Sequence, residues 1–77
     1  MDNIRIAPGE TIKEVLEMRG LRPFDLAIKL DMTIKQLDNL LHGSTVIDEA
    51  LAESLEAVFD IDKSFWIGLD RIYREGE

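Results

Sequence analysis

The side chains best placed to do chemistry lie in "MTIKQLDNLLHG", residues 32–43. Lys35, Asp38, Asn39 and His42 recur there at helical spacing, away from Leu37, Leu40 and Leu41. These groups donate and accept hydrogen bonds, and such a set has no use inside an apolar core. Covalent and metal chemistry find less support. The chain has no Cys, and its single His42 has no second imidazole or thiolate with which to share a metal. The carboxylates fall at spacings typical of exposed helix faces, and no glycine-rich phosphate loop is present. An enzyme is therefore not expected, and neither is a cofactor or metal. His42, close to a helix end, is expected to act as a surface or capping group.

The elements that must position these groups read as helices almost throughout. Helix one is expected from about Glu10 to Arg19, after the Pro8–Gly9 pair, with Ile12, Val15 and Leu16 inward and Gly20 as its left-handed stop. Helix two should begin at Pro23, whose fixed φ suits the first helical position, and bury Phe24, Ala27 and Leu30 with Leu26 close by. Its cap is poor, since Arg22 stands where an oxygen acceptor is expected. Helix three has its own signals: Thr33 and Gln36 form a capping box, and Gly43 ends it. Helix four should start at Asp48 with Ala50, Leu51, Ser54, Leu55, Val58 and Phe59 along one stripe. Helix five should start at Asp62 or Lys63 with Phe65, Leu69 and Ile72 inward. Only "NIRIA", residues 3–7, alternates like a strand. The turn between helices two and three is so short that the pair, about residues 23–42, suggests a helix-turn-helix unit presenting its second helix to a groove.

Bulk properties bound the reading. With 77 residues the chain is expected to be one domain spanning 1–77. No apolar run approaches the roughly 20 residues that span a bilayer, and the first residues lack the basic start and apolar middle of a signal peptide. Together with the absence of Cys, this points to a soluble, cytoplasmic protein with no membrane partner. The net charge of −7 looks hostile to nucleic acid, but it is unevenly placed. Over residues 19–44, Arg19, Arg22, Lys29 and Lys35 stand against Asp25, Asp31 and Asp38, a balance of +1. Residues 45–77 carry three cations and nine carboxylates, a balance of −6. The acidity therefore lies in the C-terminal part.

The stretch "PGETIKEVLEMRGLRPFDLAIKLDMTIKQLDNLLHG" resembles the lambda-repressor-like, XRE-type helix-turn-helix family. The following "VIDEALAESLEAVFDIDKSFWIGLDRIYRE" is similar to the later helices of HigA-type antitoxins, which often carry PGE near the start and an FW pair opening the fifth helix. The resemblance covers roughly residues 7–75. It implies an all-α, five-helix bundle acting as a DNA-binding transcriptional repressor, the antitoxin of a toxin–antitoxin operon. It also implies a homodimer on an operator palindrome, and a basic, ribonuclease-like toxin as a further partner.

Carried over residue by residue, the family's recognition helix places Ile34, Lys35 and Asn39 toward base edges, with Thr33 and Gln36 near phosphate. Asn pairs bidentately with adenine, Lys donates to guanine, and Ile lies against a thymine methyl. The chain departs from the family at three places. Arg22 and Pro23 replace a common Ser and Gln, Asp31 replaces the turn Gly, and Ser44 stands where a basic residue is frequent. Phosphate contact then rests on Arg22, Lys29 and Lys35. Trp66 and Tyr73, seven residues apart on helix five, are expected either at a dimer interface or at the edge of the core. The rival expectation is a protein-interaction module that keeps the fold without binding DNA.

Overall fold

The computed structural model describes residues 7–75, and along them run five helices and no strand. They are α1 (Pro8–Met18), α2 (Pro23–Leu30), α3 (Ile34–Leu41), α4 (Glu49–Phe59) and α5 (Lys63–Glu75). The "NIRIA" alternation lies outside the described residues except for Ala7.

Each boundary has a local cause. Pro8 opens α1, and the helix closes where Gly20 takes φ +68° and the Leu21 N–H donates to the Leu16 carbonyl at 2.8 Å. Pro23 opens α2. Arg22 offers no side-chain acceptor, yet the carboxylate of Asp25 takes the Arg22 backbone N–H at 3.0 Å, so one half of a capping box is made. The turn into α3 is set by Asp31, left-handed at φ 57°, and by the Met32 N–H bonded to the Ala27 carbonyl at 2.9 Å. Asp thus occupies the left-handed position that glycine fills most easily. Asp48 caps α4 by accepting from the Leu51 N–H at 2.8 Å, and Asp60 ends it at φ 59°. Before α5, the Asp62 carboxylate accepts from both the N–H and the hydroxyl of Ser64.

The core draws on every helix: Ile12, Val15 and Leu16 from α1, Leu26 and Ala27 from α2, Leu37, Leu40 and Leu41 from α3, Ala52, Leu55 and Phe59 from α4, and Trp66 from α5. Helices α4 and α5 share the most extensive contact, while α1 touches α2, α3 and α5. Arg19 ties α1 to the end of α4, its guanidinium donating to the Phe59 carbonyl and lying 5.7 Å from the Phe59 ring.

Three expected faces are corrected. Phe24 is 61% exposed, because α2 turns Leu26 and Ala27 to the core instead. On α4, Ala50 and Ser54 face solvent, and the buried stripe runs through Ala52, Leu55 and Phe59. On α5 the apolar face is one residue out of phase. Trp66 is fully buried, whereas Phe65 and Ile72 are 42% and 71% exposed. The Trp66 ring packs 5.7 Å from Phe59 and donates its N–H to the Ile61 carbonyl at 3.2 Å. Burying an indole with its donor satisfied outweighs burying a phenyl ring in the same slot. Trp66 is therefore core, the second of the two places expected for it and not the dimer interface, and it lines no outer surface.

Candidate nucleic-acid interface

Helix α3 is held from below by Leu37, Leu40 and Leu41 and from its start by the box expected there. The Thr33 hydroxyl accepts from the Gln36 N–H at 3.0 Å, and the Gln36 side-chain oxygen accepts from the Thr33 N–H at 2.9 Å. These bonds consume acceptors only. The hydroxyl hydrogen of Thr33 and the side-chain NH2 of Gln36 remain as donors on an exposed surface. A helix start arranged this way offers hydrogen-bond donors to an anion.

The outer face of α3 is formed by Ile34, Lys35, Gln36, Asp38, Asn39 and His42, all exposed, with Ile34 at 54%. Asp38, the one carboxylate among them, is engaged locally. Its side chain lies 3.4 Å from His42 Nδ1, and that nitrogen also meets the Asp38 carbonyl at 2.8 Å. His42 is thus a surface group at the helix end, as its solitary placement suggests.

Most of the uncommitted cations lie on the same side. Arg19 is spent on Phe59, Lys63 on Glu49 and Glu53, and Arg74 on Asp70. Among the described residues, the cationic side chains with neither an ion pair nor a hydrogen bond are Arg22, Lys29 and Lys35, which belong to the α2–α3 unit or its entry, and Arg71, which is exposed on α5. At the start of α2 the Arg22 backbone N–H is already taken by Asp25, which leaves the Arg22 guanidinium as the group that can reach outward.

Two features that sequence reasoning missed hold this unit in place. Gly9 in α1 lies so close to α3 that a Cβ on it would stand 1.9 Å from the Leu41 carbonyl oxygen. The "PGE" spacing is the only sequence signal of that approach. Buried Asp70 and partly exposed Arg74 of α5 grip the loop leaving α3, and no local pattern announces them. Tyr73 is half-buried against the same loop, with its ring within 3.2 Å of the position of a Cβ on Gly43. Among the described residues no group of His, Cys, Asp or Glu could hold a metal ion, and no helix is long and apolar enough to cross a membrane.

Five helices with an exposed α3 joined to α2 by a three-residue turn define a helix-turn-helix protein. The fold is similar to that of PA4674 from Pseudomonas aeruginosa, solved in complex with its operator DNA (18 bp), at 26% sequence identity and a TM-score of 0.82. The match covers 95% of this chain and 80% of that one. No family model matches the chain, and no curated protein matches it.

Proposed function

We propose that this protein is a DNA-binding transcription regulator that places α3 in the major groove. The observation that carries the reading is the α3 face itself. Ile34, Lys35 and Asn39 stand exposed and uncommitted, beside an N-terminus whose Thr33–Gln36 box leaves donors outward. The likeness to a protein bound to its operator supports it. In this reading Asn39 and Lys35 address base edges and Ile34 a thymine methyl. Thr33, Gln36 and Arg22 address phosphates, with Lys29 adding charge.

The regulator works as a dimer. A single short helix reads few bases, and pairing two copies about one DNA turn apart supplies the rest of the site. The interface lies on α5 but on the stripe of Phe65, Gly68, Leu69 and Ile72, not on Trp66. Gly68 supports this choice. A Cβ there meets nothing within 4 Å among the described residues, although glycine inside a helix costs about 0.5–1 kcal/mol relative to alanine. In two antiparallel copies of α5 related by a dyad between residues 68 and 69, Phe65 faces Ile72 and Leu69 of one copy lies over Gly68 of the other. The pattern is self-complementary, as a two-fold interface requires. Tyr73 stays with the loop on the adjoining face.

The finer role is that of a HigA-type antitoxin repressing its own operon, which rests on the family resemblance. The acidity gathered in residues 45–77 suits a basic, ribonuclease-like toxin. Footprinting on the promoter of its own operon tests the regulator reading. Two protected half-sites about one turn apart are expected, and an unprotected promoter at low salt would reject it.

A further inference from the structure

Among the described residues Asp70 is the one charged side chain that is buried, 4% exposed in an otherwise apolar core. Its carboxylate accepts from Arg74 Nε at 2.9 and 3.1 Å and from the Ile47 backbone N–H at 3.2 Å. Arg74 in turn donates from Nη2 to the carbonyls of Gly43 and Thr45, at 3.2 and 2.9 Å. Two side chains one turn apart on α5 thus hold three backbone groups of residues 43–47, the segment that leaves α3.

Stability alone does not account for this arrangement. Only the Asp70 side of this pair is buried, the Arg74 side chain being 34% exposed, and an ion pair drawn partly out of water gains little net energy, so it is weak evidence of a stabilising role. Position accounts for it better. Helix α3 packs chiefly on α1 and α2, and α5 reaches it through this loop. The opposite side of α5 carries Phe65, Gly68, Leu69 and Ile72. One helix therefore bears the exposed stripe proposed above for the dimer on one face and the grip on the end of α3 on another.

We propose that Asp70 and Arg74 are positioning residues that fix α3 relative to the outer face of α5, and so set the half-site spacing a pair of copies reads. The inference rests on the DNA-binding and α5-dimer readings above and goes beyond them, since neither residue touches DNA.

The experiment uses the full chain and the variants Arg74→Lys and Asp70→Asn. Lysine keeps the charge but lacks the fork that reaches a carboxylate and two carbonyls together. Asparagine can still accept from the Ile47 N–H but loses the charge pair. Binding is measured to a single half-site, to the two-half-site operator, and to the same operator with one base pair inserted between the halves. Hydrogen exchange is followed without DNA. Both variants should bind the operator about tenfold more weakly, within the range for residues that couple two sites without contacting the ligand. They should stay within twofold of wild type on the half-site and discriminate less against the inserted base pair. Exchange at Ile47 and in the last turn of α3 should quicken in both.

Unchanged operator affinity and spacing preference in both variants would overturn the proposal. An equal weakening on half-site and operator with a flatter salt dependence would also overturn it, because Arg74 would then be a phosphate contact. Wild-type protein that binds no DNA would reject the functional reading itself. The exchange data would then show separately whether the grip orders the end of α3.

Discussion

Gly9 and Leu41 meet backbone to backbone: a Cβ on Gly9 would fall 1.9 Å from the Leu41 carbonyl oxygen and 2.6 Å from its Cα. The first turn of α1 is thereby seated directly on the last turn of α3. Only glycine allows the two helices to approach so closely, and the neighbouring atoms are backbone that cannot rotate away.

Gly9→Ala should therefore destabilise the fold even though alanine is the better helix former. Overpacking of a tight contact costs about 1–3 kcal/mol, against a gain of at most about 1 kcal/mol in helix propensity. Urea denaturation should show a lower midpoint. A midpoint equal to or above that of wild type would mean that α1 does not sit on α3 in this way.

At the other end of α3, Thr33→Ala removes the acceptor for the Gln36 N–H and should cost about 1 kcal/mol. Thr33→Ser keeps the oxygen and should recover most of it. Equal melting curves for Thr33→Ala and wild type would contradict the observed helix start.

Helix α3 is legible in the sequence because all its signals are local: a Thr and a Gln three residues apart, leucines at helical spacing, a closing glycine. Helix α5 is legible as an element but not as to its face. Its sequence holds two stripes, Phe65–Leu69–Ile72 and Trp66–Asp70–Tyr73, and periodicity alone favours the one without a charge. The carboxylate of Asp70 is buried only because Arg74 and the distant Ile47 N–H satisfy it, and that partnership depends on tertiary folding. Phe24 escapes sequence reasoning for a similar reason, since one turn of α2 offers both Phe24 and the Leu26–Ala27 pair to the core and packing selects the pair. The α3 face is legible as exposed because polar groups at helical spacing need no tertiary context.

The start of α5 should respond to pH at both extremes. The Asp62 carboxyl is held below its ordinary 3.8 by the Ser64 hydroxyl and then by the Ser64 N–H. A depressed folded value stabilises above the unfolded one, so this contribution is present above 3.8 and is lost as pH falls through the lower folded value. The Lys63 ammonium is raised above 10.5 by hydrogen bonds first to Glu49 and then to Glu53. Its contribution is complete below 10.5 and disappears as pH climbs through the higher folded value. The protection of α5 amides, their exchange relative to the intrinsic rate at each pH, should be flat between these limits and fall outside them. Asp62→Asn should remove the acid limb, and Lys63→Met the alkaline one. Limbs unchanged in both variants would contradict these pairings.

The α5 stripe makes a prediction in two directions. Gly68→Ala should raise the helical stability of the isolated chain by up to about 1 kcal/mol, because a Cβ there meets no neighbour among the described residues. The same change should weaken self-association, since it stands where Leu69 of the second copy packs. Ile72→Asp should abolish association outright while leaving the fold intact, as Ile72 is 71% exposed. Sedimentation at micromolar concentration should show wild-type dimer and Ile72→Asp monomer. An 8.8 kDa species for wild type would contradict the dimer.

The most direct test of the account is a fluorescence anisotropy titration of the full chain against the promoter of its own operon at several salt concentrations. With Lys35 addressing a base, Arg22 and Lys29 are the uncommitted cations of the α2–α3 unit left for phosphate, and each neutralised phosphate adds about 0.9 to the slope of log affinity against log salt, so a dimer should give a slope of about −4. Asn39→Ala should cost about 1–3 kcal/mol at its own base pair and relax that position, whereas Arg22→Ala should weaken all sequences alike and flatten the slope by about one for each phosphate left unneutralised. No binding at low salt by a folded dimer, or Asn39→Ala and Arg22→Ala both binding as wild type does, would contradict the account.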